Sequence, residues 1–427
     1  NVTSFKEFDV QQLFTSPYGI AVNNNPANER FGNVYVSNTT EGETPDGNVG
    51  VGIYEYAPNG DNISSSDVSA GIEWTGVAGQ GPRRIAVAAD GRIFASDYST
   101  ENAGIYVIDP DTWTGTPLFK DAVNDGNGSL TVNGTYVGGR MVAVGVRGEG
   151  ESTQLYAADA TASGASWKKF VNRYDIGTAS EWSTAPSYSA AASSYIGNEN
   201  SSIVPVSTGF WAAQFRGQGS SSVANPCLFY FSDEQGDAVY DTSEIDDKES
   251  SNGALAVDEK TGTVAHSFGG GVRVFHYRLN YEGIPQVELL FEKPLDQTPL
   301  NSFAFDYAGN LYVVSGDGKI GFYGMPTNDN SITVPAKDQI VFGFDSVEEI
   351  ESTAKASVYP NPASDVATVT AGCPIERIAV YNAASGAEAL NVAGNGQNEM
   401  TIDVAGLSKG VYIVRINNVH TLKLIKR

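Results

Sequence analysis

The sequence has few basic residues and almost no cysteine. Its 427 residues include 26 Lys and Arg against 50 Asp and Glu, a formal net charge of −24 at pH 7. Nucleic acids and anionic lipid surfaces are bound through basic patches that release counterions, so this charge excludes both as partners. The two cysteines, Cys227 and Cys373, cannot form a disulfide framework. Stability therefore has to come from packing.

Long apolar runs are also missing. No run approaches the roughly 20 residues that a membrane-spanning helix needs, so the sequence predicts no transmembrane segment. Asn1 begins the sequence without the charged and apolar regions of a signal peptide. If the protein is exported, we expect that its signal peptide has been removed. We also expect a monomer.

Glycine and aromatic residues are abundant, with 47 Gly, 21 Tyr and 19 Phe. This composition is typical of a β-rich protein with a buried core. The charge changes along the chain: residues 351–427 contain 7 Lys and Arg against 6 Asp and Glu, whereas the preceding residues contain 19 against 44. The change places a boundary near residue 350 and predicts one large domain followed by a small one.

A pair of strand signals repeats along residues 1–345, each an apolar alternation that ends near Gly, Asn or Asp. The clearest copies read SPYGIAV at 16–22, GPRRIAVAADGRIFASDY at 81–98 and NSFAFDYAGNLYVVSGDGKIGFYGM at 301–325. Less regular copies begin at residues 138 and 201, and the copy that begins at residue 252 recovers the pattern. Six copies with three or four short strands each fit propeller blades better than a solenoid.

Turn residues follow the same pattern. Asp90-Gly91, Gly262 and Gly309-Asn310 lie between the first and second strands of their copies, where a hairpin needs positive φ. The phrase IAVAADGRIFASD and its relatives resemble NHL-type and quinoprotein-like propeller repeats. The resemblance implies an all-β fold with a six-bladed β-propeller over residues 1–344, seven blades being the alternative.

A propeller closes its ring by pairing a strand from one end of the chain with a strand from the other. Residues 5–14 (FKEFDVQQLF) and 331–344 (SITVPAKDQIVFGF) are the two candidates. Residues 345–357 are acidic and poor in large apolar side chains, which predicts a linker. A short amphipathic helix is the alternative for that segment.

Four motifs follow the linker. They are VYPNP at 358–362, IERIAVYNAASGAEAL at 375–390, IDVAGLSKGVYIVRI at 402–416 and TLKLIKR at 421–427. In this order they resemble the type A C-terminal sorting domain of type IX secretion cargo. As strands, they predict a small Ig-like β-sandwich over residues 358–427, with an ordinary fibronectin-like spacer as the alternative.

The resemblance to a sorting domain implies a location and a partner. It implies recognition by the type IX translocon in the outer membrane of a Gram-negative bacterium. Cleavage and attachment to a surface lipopolysaccharide usually follow in that family. We therefore expect an extracellular or cell-surface protein.

Signatures of enzymes are scarce. G-x-S-x-G, H-E-x-x-H and P-loop motifs are missing, and the histidines are His266, His276 and His420. A metal site at His266 and His276 is an alternative to ordinary strand positions. Calcium is the cofactor that acidic turns could hold, although Asx turns also explain them. The calcium candidates are Asp109, Asp111, Thr114, Asp125, Asn127, Asp233, Glu234 and Asp237.

The segment before the innermost strand of each copy runs to one mouth of the central channel, where propeller ligands commonly bind. The residues aligned there are Tyr18, Arg83, Arg84, Arg140, Asn252 and Asn301. The planar guanidinium of arginine suits carboxylate, sulfate and phosphate groups. We predict that these six residues bind a polar or anionic glycan or peptide. The alternative is that the arginines pair with acids between blades.

The scarcity of histidine and of clustered carboxylates favours a non-catalytic binding protein over an enzyme. A propeller hydrolase or lyase with a metal in the channel is the alternative, because propellers support both kinds of function.

Overall fold

A computed structural model of the chain shows two compact units, Asn1–Gly343 and Phe344–Arg427. All paired strands in the described part are antiparallel, and the helical element there is the 3-10 turn Gly150–Ser152. No described helix is long and apolar enough to cross a membrane. The structure describes residues 6–7, 11–45, 47–58, 63, 71–160, 162–163, 166–167, 170–190, 201–214, 227–233, 238–242, 253–268, 271–295, 299–325, 356–383, 387–417 and 420–427.

The described part of the first unit contains six main sheets that follow one another along the chain, each built on a meander, and three smaller sheets. We number the main sheets 1 to 6. Sheet 1 consists of Pro17–Val22, Val34–Asn38 and Gly52–Tyr56. Sheet 2 consists of Ile85–Val87, Ile93–Asp97, Gly104–Ile108 and Gly115–Pro117. Sheet 3 consists of Met141–Arg147, Gln154–Asp159, Phe170–Asp175 and Tyr188–Ala190.

The other three sheets repeat the pattern. Sheet 4 consists of Ser201–Val206, Gly209–Gln214, Leu228–Ser232 and Ala238–Asp241. Sheet 5 consists of Leu255–Asp258, Thr263–Phe268, Gly271–Leu279 and Pro285–Pro294. Sheet 6 consists of Leu300–Phe305, Leu311–Ser315 and Lys319–Gly324, and two N-terminal strands, Lys6–Glu7 and Gln11–Gln12, pair with the last of these.

Smaller strands lie between these sheets. A hairpin follows the second strand of sheet 1, and a three-stranded sheet connects sheets 2 and 3. Another short hairpin lies within sheet 3. The bounds of these strands are Gly42–Thr44 and Gly47–Val49, then Val123–Asn124, Leu130–Val132 and Thr135–Gly138, then Ala162–Ser163 and Ser166–Trp167.

The first strand of each sheet, which we call its inner strand, contacts the inner strands of the preceding and following sheets, and the inner strand of sheet 6 contacts that of sheet 1. Apolar side chains fill the space between neighbouring sheets. Phe14, Val36 and Val314, for example, belong to the cluster between sheets 6 and 1. This circular arrangement of meander sheets is that of a β-propeller, and it confirms the all-β prediction.

Two local predictions are confirmed as well. Gly91 and Gly309 adopt φ values of 94° and 84° between the first two strands of sheets 2 and 6. Part of the predicted closing segment, residues 5–14, pairs with the last strand of sheet 6. The other closing candidate, 331–344, and most of the predicted linker, 345–357, lie outside the described residues.

The second unit has two antiparallel sheets that share one hydrophobic cluster, which includes Ile402 from one sheet and Val380 and Val414 from the other. Alternating apolar residues supply this core because successive side chains of a strand point to opposite faces. The three-stranded sheet has Ser357–Tyr359, Val366–Thr370 and Glu399–Asp403, and the four-stranded sheet has Glu388–Ala393, Arg377–Asn382, Gly410–Ile416 and His420–Lys426.

Candidate functional site

The predicted ligand-binding residues lie where the inner strands begin, at the end of the channel that we call the front mouth. Backbone pairing fixes the arginines of sheet 2 there. The N–H of Arg83 donates to the carbonyl of Ser96 at 2.8 Å, and the N–H of Ser96 donates to the carbonyl of Arg84 at 2.9 Å. Five of the six predicted residues are described, and Asn252 lies outside the described residues.

Arg84 reaches across the channel to two other sheets. Its Nε donates to the carbonyl oxygen of Ser201, in sheet 4, at 3.1 Å, and its Nη1 donates to the carbonyl oxygen of Asn301, in sheet 6. The side chain is buried, and this burial lowers the pKa of Arg84 to about 10, so the guanidinium remains charged at neutral pH. One buried cation therefore links three sheets at the front mouth.

Tyr18 lies beside both arginines of sheet 2. Arg83 donates from Nη2 to the hydroxyl of Tyr18 at 2.8 Å and from Nη1 to the carbonyl of Gly79. The guanidinium carbons of Arg83 and Arg84 lie 4.2 and 5.1 Å from the centre of the Tyr18 ring. Cation–π contacts of this kind are worth about 0.5–2 kcal/mol each. These three side chains are buried, so they form the base of the front mouth.

Arg140 is the most accessible of the three predicted arginines. It is half-buried, and its guanidinium carbon lies 3.9 Å from the centre of the ring of half-buried Tyr98. Its Nε also donates to the Tyr98 carbonyl at 2.8 Å. Tyr98 was missed by the sequence analysis, which considered only the starts of inner strands. Its position directly after the strand Ile93–Asp97 was the available signal.

Asn301 connects sheets 6 and 1. Its Nδ2 donates to the carbonyl of Pro17 at 2.7 Å, and its own carbonyl accepts the hydrogen bond from Arg84. Tyr18, Arg83, Arg84 and Asn301 are all buried. The structure thus brings the five described residues together at one mouth, and of these only Arg140, like its neighbour Tyr98, is half-buried rather than buried. Ligand binding by this group stays a prediction.

Asp97 is a buried carboxyl group near the same mouth, and it too was missed by the sequence analysis. Its side chain is 0% exposed, and its Oδ1 accepts the N–H of Ser99 at 2.7 Å. Its Oδ2 has no hydrogen-bond partner within the part of the chain that is described. Burial raises the pKa of Asp97 to about 6, and the charge of Arg83 opposes this increase.

Small apolar side chains line the channel behind Arg84. The channel cavity of about 210 Å³ is lined by inner strands of all six sheets, with residues such as Ile20, Ala143 and Ala256. It shares Val22, Val87 and Val146 with a second cavity of about 520 Å³, at the end where the inner strands of sheets 1 to 3 finish. We call this end the rear mouth.

In two of the acidic turns proposed for calcium, the Asp side chain accepts hydrogen bonds from nearby backbone N–H groups. Asp109 Oδ1 accepts the N–H groups of Asp111 and Thr112 at 2.8 and 3.1 Å, and Asp125 Oδ1 accepts those of Asn127 and Ser129 at 2.8 and 3.0 Å. These backbone hydrogen bonds lower the pKa of both carboxyl groups.

The third calcium candidate is involved in other contacts. Asp233 pairs with Arg147 and accepts the Tyr156 hydroxyl at 2.8 Å, while Glu234 and Asp237 lie outside the described residues. Buried His266 stacks on Phe275, with 5.7 Å between ring centres. Within the described ranges, no three His, Cys, Asp or Glu residues are grouped closely enough to hold a metal ion.

In the second unit, the YPNP segment contacts the last strand. Asn361 Nδ2 donates to the carbonyl of Lys423 at 2.6 Å, and its Oδ1 accepts the N–H of Ile425 at 2.9 Å. The N–H of Ala363 donates to the carbonyl of Ile425 at 2.8 Å. The first and last motifs of this unit are therefore joined directly.

Residues 357–427 match the family described as a secretion system C-terminal sorting domain. This match confirms the predicted sorting domain of the type IX route, and it indicates export to the cell surface or the extracellular space. No curated protein sequence matches the chain significantly.

Three solved structures are among those that this chain resembles. A gluconolactonase from Xanthomonas campestris is 13% identical, with 74% of this chain and 88% of that chain covered and a TM-score of 0.42. A virginiamycin B lyase from Staphylococcus aureus is 13% identical, with 75% and 100% covered and a TM-score of 0.40. The extracellular domain of a hybrid two-component system from Bacteroides thetaiotaomicron is 10% identical, with 100% and 60% covered and a TM-score of 0.41. Such distant likenesses carry no inference about activity.

Proposed function

We propose that the protein is an exported, non-catalytic binding protein that holds a polar or anionic glycan or peptide at the front mouth of its propeller. The observation that carries this proposal is the half-buried pair of Arg140 and Tyr98, with 3.9 Å between guanidinium carbon and ring centre. The contact with the ring and the hydrogen bond from Nε to the Tyr98 carbonyl, at 2.8 Å, restrict the position of the guanidinium. A planar, oriented guanidinium suits the two oxygens of a carboxylate or sulfate.

The surroundings favour a rigid site. Arg83, Arg84 and Tyr18 are buried beneath the accessible pair and are held by hydrogen bonds to Gly79, Ser201 and Asn301. The guanidinium of Arg83 also lies 5.2 Å from the Tyr98 ring centre and adds positive charge below the site. The chain has a net charge of −24, so most of its surface repels anions. The group of three arginines at the front mouth attracts them.

We also infer the finer architecture. Six meander sheets and the contact between the inner strands of sheets 6 and 1 support a six-bladed ring. Two sheets around one shared core support an Ig-like sandwich for the sorting domain. The domain limits that we propose are 1–344 for the propeller, 345–357 for a linker and 358–427 for the sandwich. Recognition by the outer-membrane translocon and a monomeric state belong to the same proposal.

Binding of glycans and acidic peptides on arrays, at low and high salt, tests the proposed function. We expect the intact protein to bind an anionic member of the arrays, Arg140→Ala to weaken that binding at least tenfold, and high salt to weaken it too. Lys120→Ala, which removes an equal charge from an exposed pair with Glu181, is the matched control and should bind normally. Loss of binding in Lys120→Ala, or normal binding in Arg140→Ala, would contradict the proposal.

Metal analysis of the purified protein separates the binding function from the alternative of a metal-dependent hydrolase or lyase. We expect less than stoichiometric metal and unchanged array ligands after incubation. A stoichiometric metal, together with cleavage of a bound glycan, would favour the enzyme. Calcium found alone, without cleavage, would agree with a structural ion in an acidic turn.

A further inference from the structure

The rear mouth has features of a second binding site, at the opposite end of the channel from Arg140. Its cavity of about 520 Å³ lies within the usual range of small-molecule sites, about 300–1,000 Å³. At the other end, Arg84 crosses the channel to Ser201 and Asn301. A ligand in the rear mouth would therefore be separated from the front mouth by a buried, hydrogen-bonded side chain.

The loop after the inner strand of sheet 1 forms one wall of the rear mouth. Asn24 donates from Nδ2 to the carbonyl of Phe305, in sheet 6, at 2.9 Å, and Asn25 donates to the carbonyl of Ala89, next to sheet 2, at 2.7 Å. These two amides fix the loop to the sheets on both sides. The wall is thus held in place before any ligand arrives.

Asn23 lines the same cavity and is 1% exposed. Its Oδ1 accepts the N–H of Asn25 at 3.1 Å, whereas its Nδ2 has no hydrogen-bond partner among the described residues. Buried amide groups nearly always have partners, because an unmade hydrogen bond in a protein interior is costly. A buried donor in the lining of a cavity therefore points to an acceptor on a ligand.

The charges around the rear mouth disfavour binding of an anionic ligand. Glu149 and Glu259 line it with exposed carboxylates, and Glu259 is oriented by the N–H of Ser207 at 3.0 Å. The cation of this lining, Arg147, is paired with Asp233 and hydrogen-bonded to Gln154 at 2.9 Å. Carboxylates accept hydrogen bonds from hydroxyl groups, and the amide donates one.

We propose that the rear mouth binds a neutral, hydroxyl-rich ligand of the saccharide class. Its hydroxyl groups would donate to Glu149 and Glu259 and accept from the Asn23 amide. Its C–H faces would rest on the apolar floor formed by Val22, Val87 and Val146, which continues into the channel. This site is independent of the proposed function at the front mouth, since the ligand differs in charge and the residues do not overlap.

A panel of uncharged oligosaccharides, tested with the full chain by calorimetry at low and high salt, examines the proposal. We expect at least one of them to bind with little dependence on salt. Asn23→Asp, which keeps the acceptor that Asn25 uses and removes the donor, should weaken binding at least tenfold. Arg140→Ala should bind the same oligosaccharide normally. Absence of binding by every uncharged oligosaccharide would overturn the proposal.

A second variant tests the proposal if Asn23→Asp fails to fold. Glu149→Gln changes an exposed side chain, so it should melt with the wild type and bind about threefold to tenfold more weakly. Normal oligosaccharide binding by both folded variants would overturn the rear site. If Arg140→Ala alone removed binding, the saccharide would occupy the front mouth instead, which would contradict this proposal while leaving the proposed function intact.

Discussion

The Nε of Arg84 lies 3.1 Å from the carbonyl oxygen of Ser201, although the two residues belong to the second and the fourth sheets. A hydrogen bond between sheets that are not neighbours can form only across the channel. Arg84 therefore spans the channel in addition to lining its front mouth.

Replacement of Arg84 by Ala should destabilise the propeller. The variant loses charge-assisted hydrogen bonds to the carbonyls of Ser201 and Asn301, and we expect a loss of about 2–4 kcal/mol in the free energy of unfolding. Thermal melting of the full chain measures this loss, and Arg140→Ala, which is half-buried, should melt closer to the wild type. Unchanged melting of the Arg84→Ala variant would contradict this structural role.

Stability should depend on pH through Asp97. Its pKa is about 6 in the folded state against an ordinary value of 3.8, so folding favours the protonated form. The associated stabilisation is fully present below pH 3.8 and is lost as the pH rises through 6, a change of up to about 3 kcal/mol. Asp97→Asn, which stays neutral, should therefore melt at a higher temperature than the wild type at pH 8 and at a similar temperature at pH 4. Equal melting at both values would show that Asp97 is not desolvated.

Phe14 tests the closure of the ring. This side chain is buried in the cluster between sheets 6 and 1 and lies 5.1 Å from the Tyr54 ring, centre to centre. Phe14→Ala should cost about 3–5 kcal/mol, the usual range for a large aromatic residue removed from a core. Tyr281→Ala is the matched control, because Tyr281 is 94% exposed. Denaturant unfolding compares the two variants, and equal midpoints would contradict the closure.

Deletion of residues 356–427 should leave a folded propeller that is retained in the cell envelope. These residues include the whole match to the sorting domain and form a core of their own. Fractionation of cells and medium measures the outcome. Normal appearance of the truncated protein in the medium would show that export depends on another part of the chain.

Asn361 should hold the last strand of the sorting domain in place. Asn361→Ala removes its hydrogen bonds to Lys423 and Ile425, each worth about 1 kcal/mol. Hydrogen exchange of the amides in residues 420–427 should become faster in this variant. Asn395→Ala, which removes a local hydrogen bond to Gln397, is the control and should leave these amides protected. Faster exchange in the control alone would contradict the role of Asn361.

The repeat pattern of the sequence predicted the inner strands well, because a strand buried on both faces is a short run of mostly apolar residues. The copies predicted at SPYGIAV and from residue 138 contain the inner strands Pro17–Val22 and Met141–Arg147. Even the irregular fourth copy forms a four-stranded sheet.

The front mouth was harder to predict. Alignment of the sequence copies placed Arg84 and Asn301 at the same end of the channel. Which carbonyl groups Arg84 bonds, however, depends on the width of the ring, and no local sequence pattern predicts that width. Asp97 ends the second strand of sheet 2 and Tyr98 follows it, so both lie outside the aligned positions. The burial of Arg83 and Arg84 likewise follows from tertiary packing.

The pairing of Lys6–Glu7 with Lys319–Gly324 has a consequence for biosynthesis. A chain made from its N-terminus must wait for about 300 residues before the partner of its first strand exists, and closing so large a loop is slow. Until then the open rim of the nascent sheets can pair with other chains, which is the usual route to aggregation. We therefore expect aggregation to be strongest for chains whose last repeat has not yet docked.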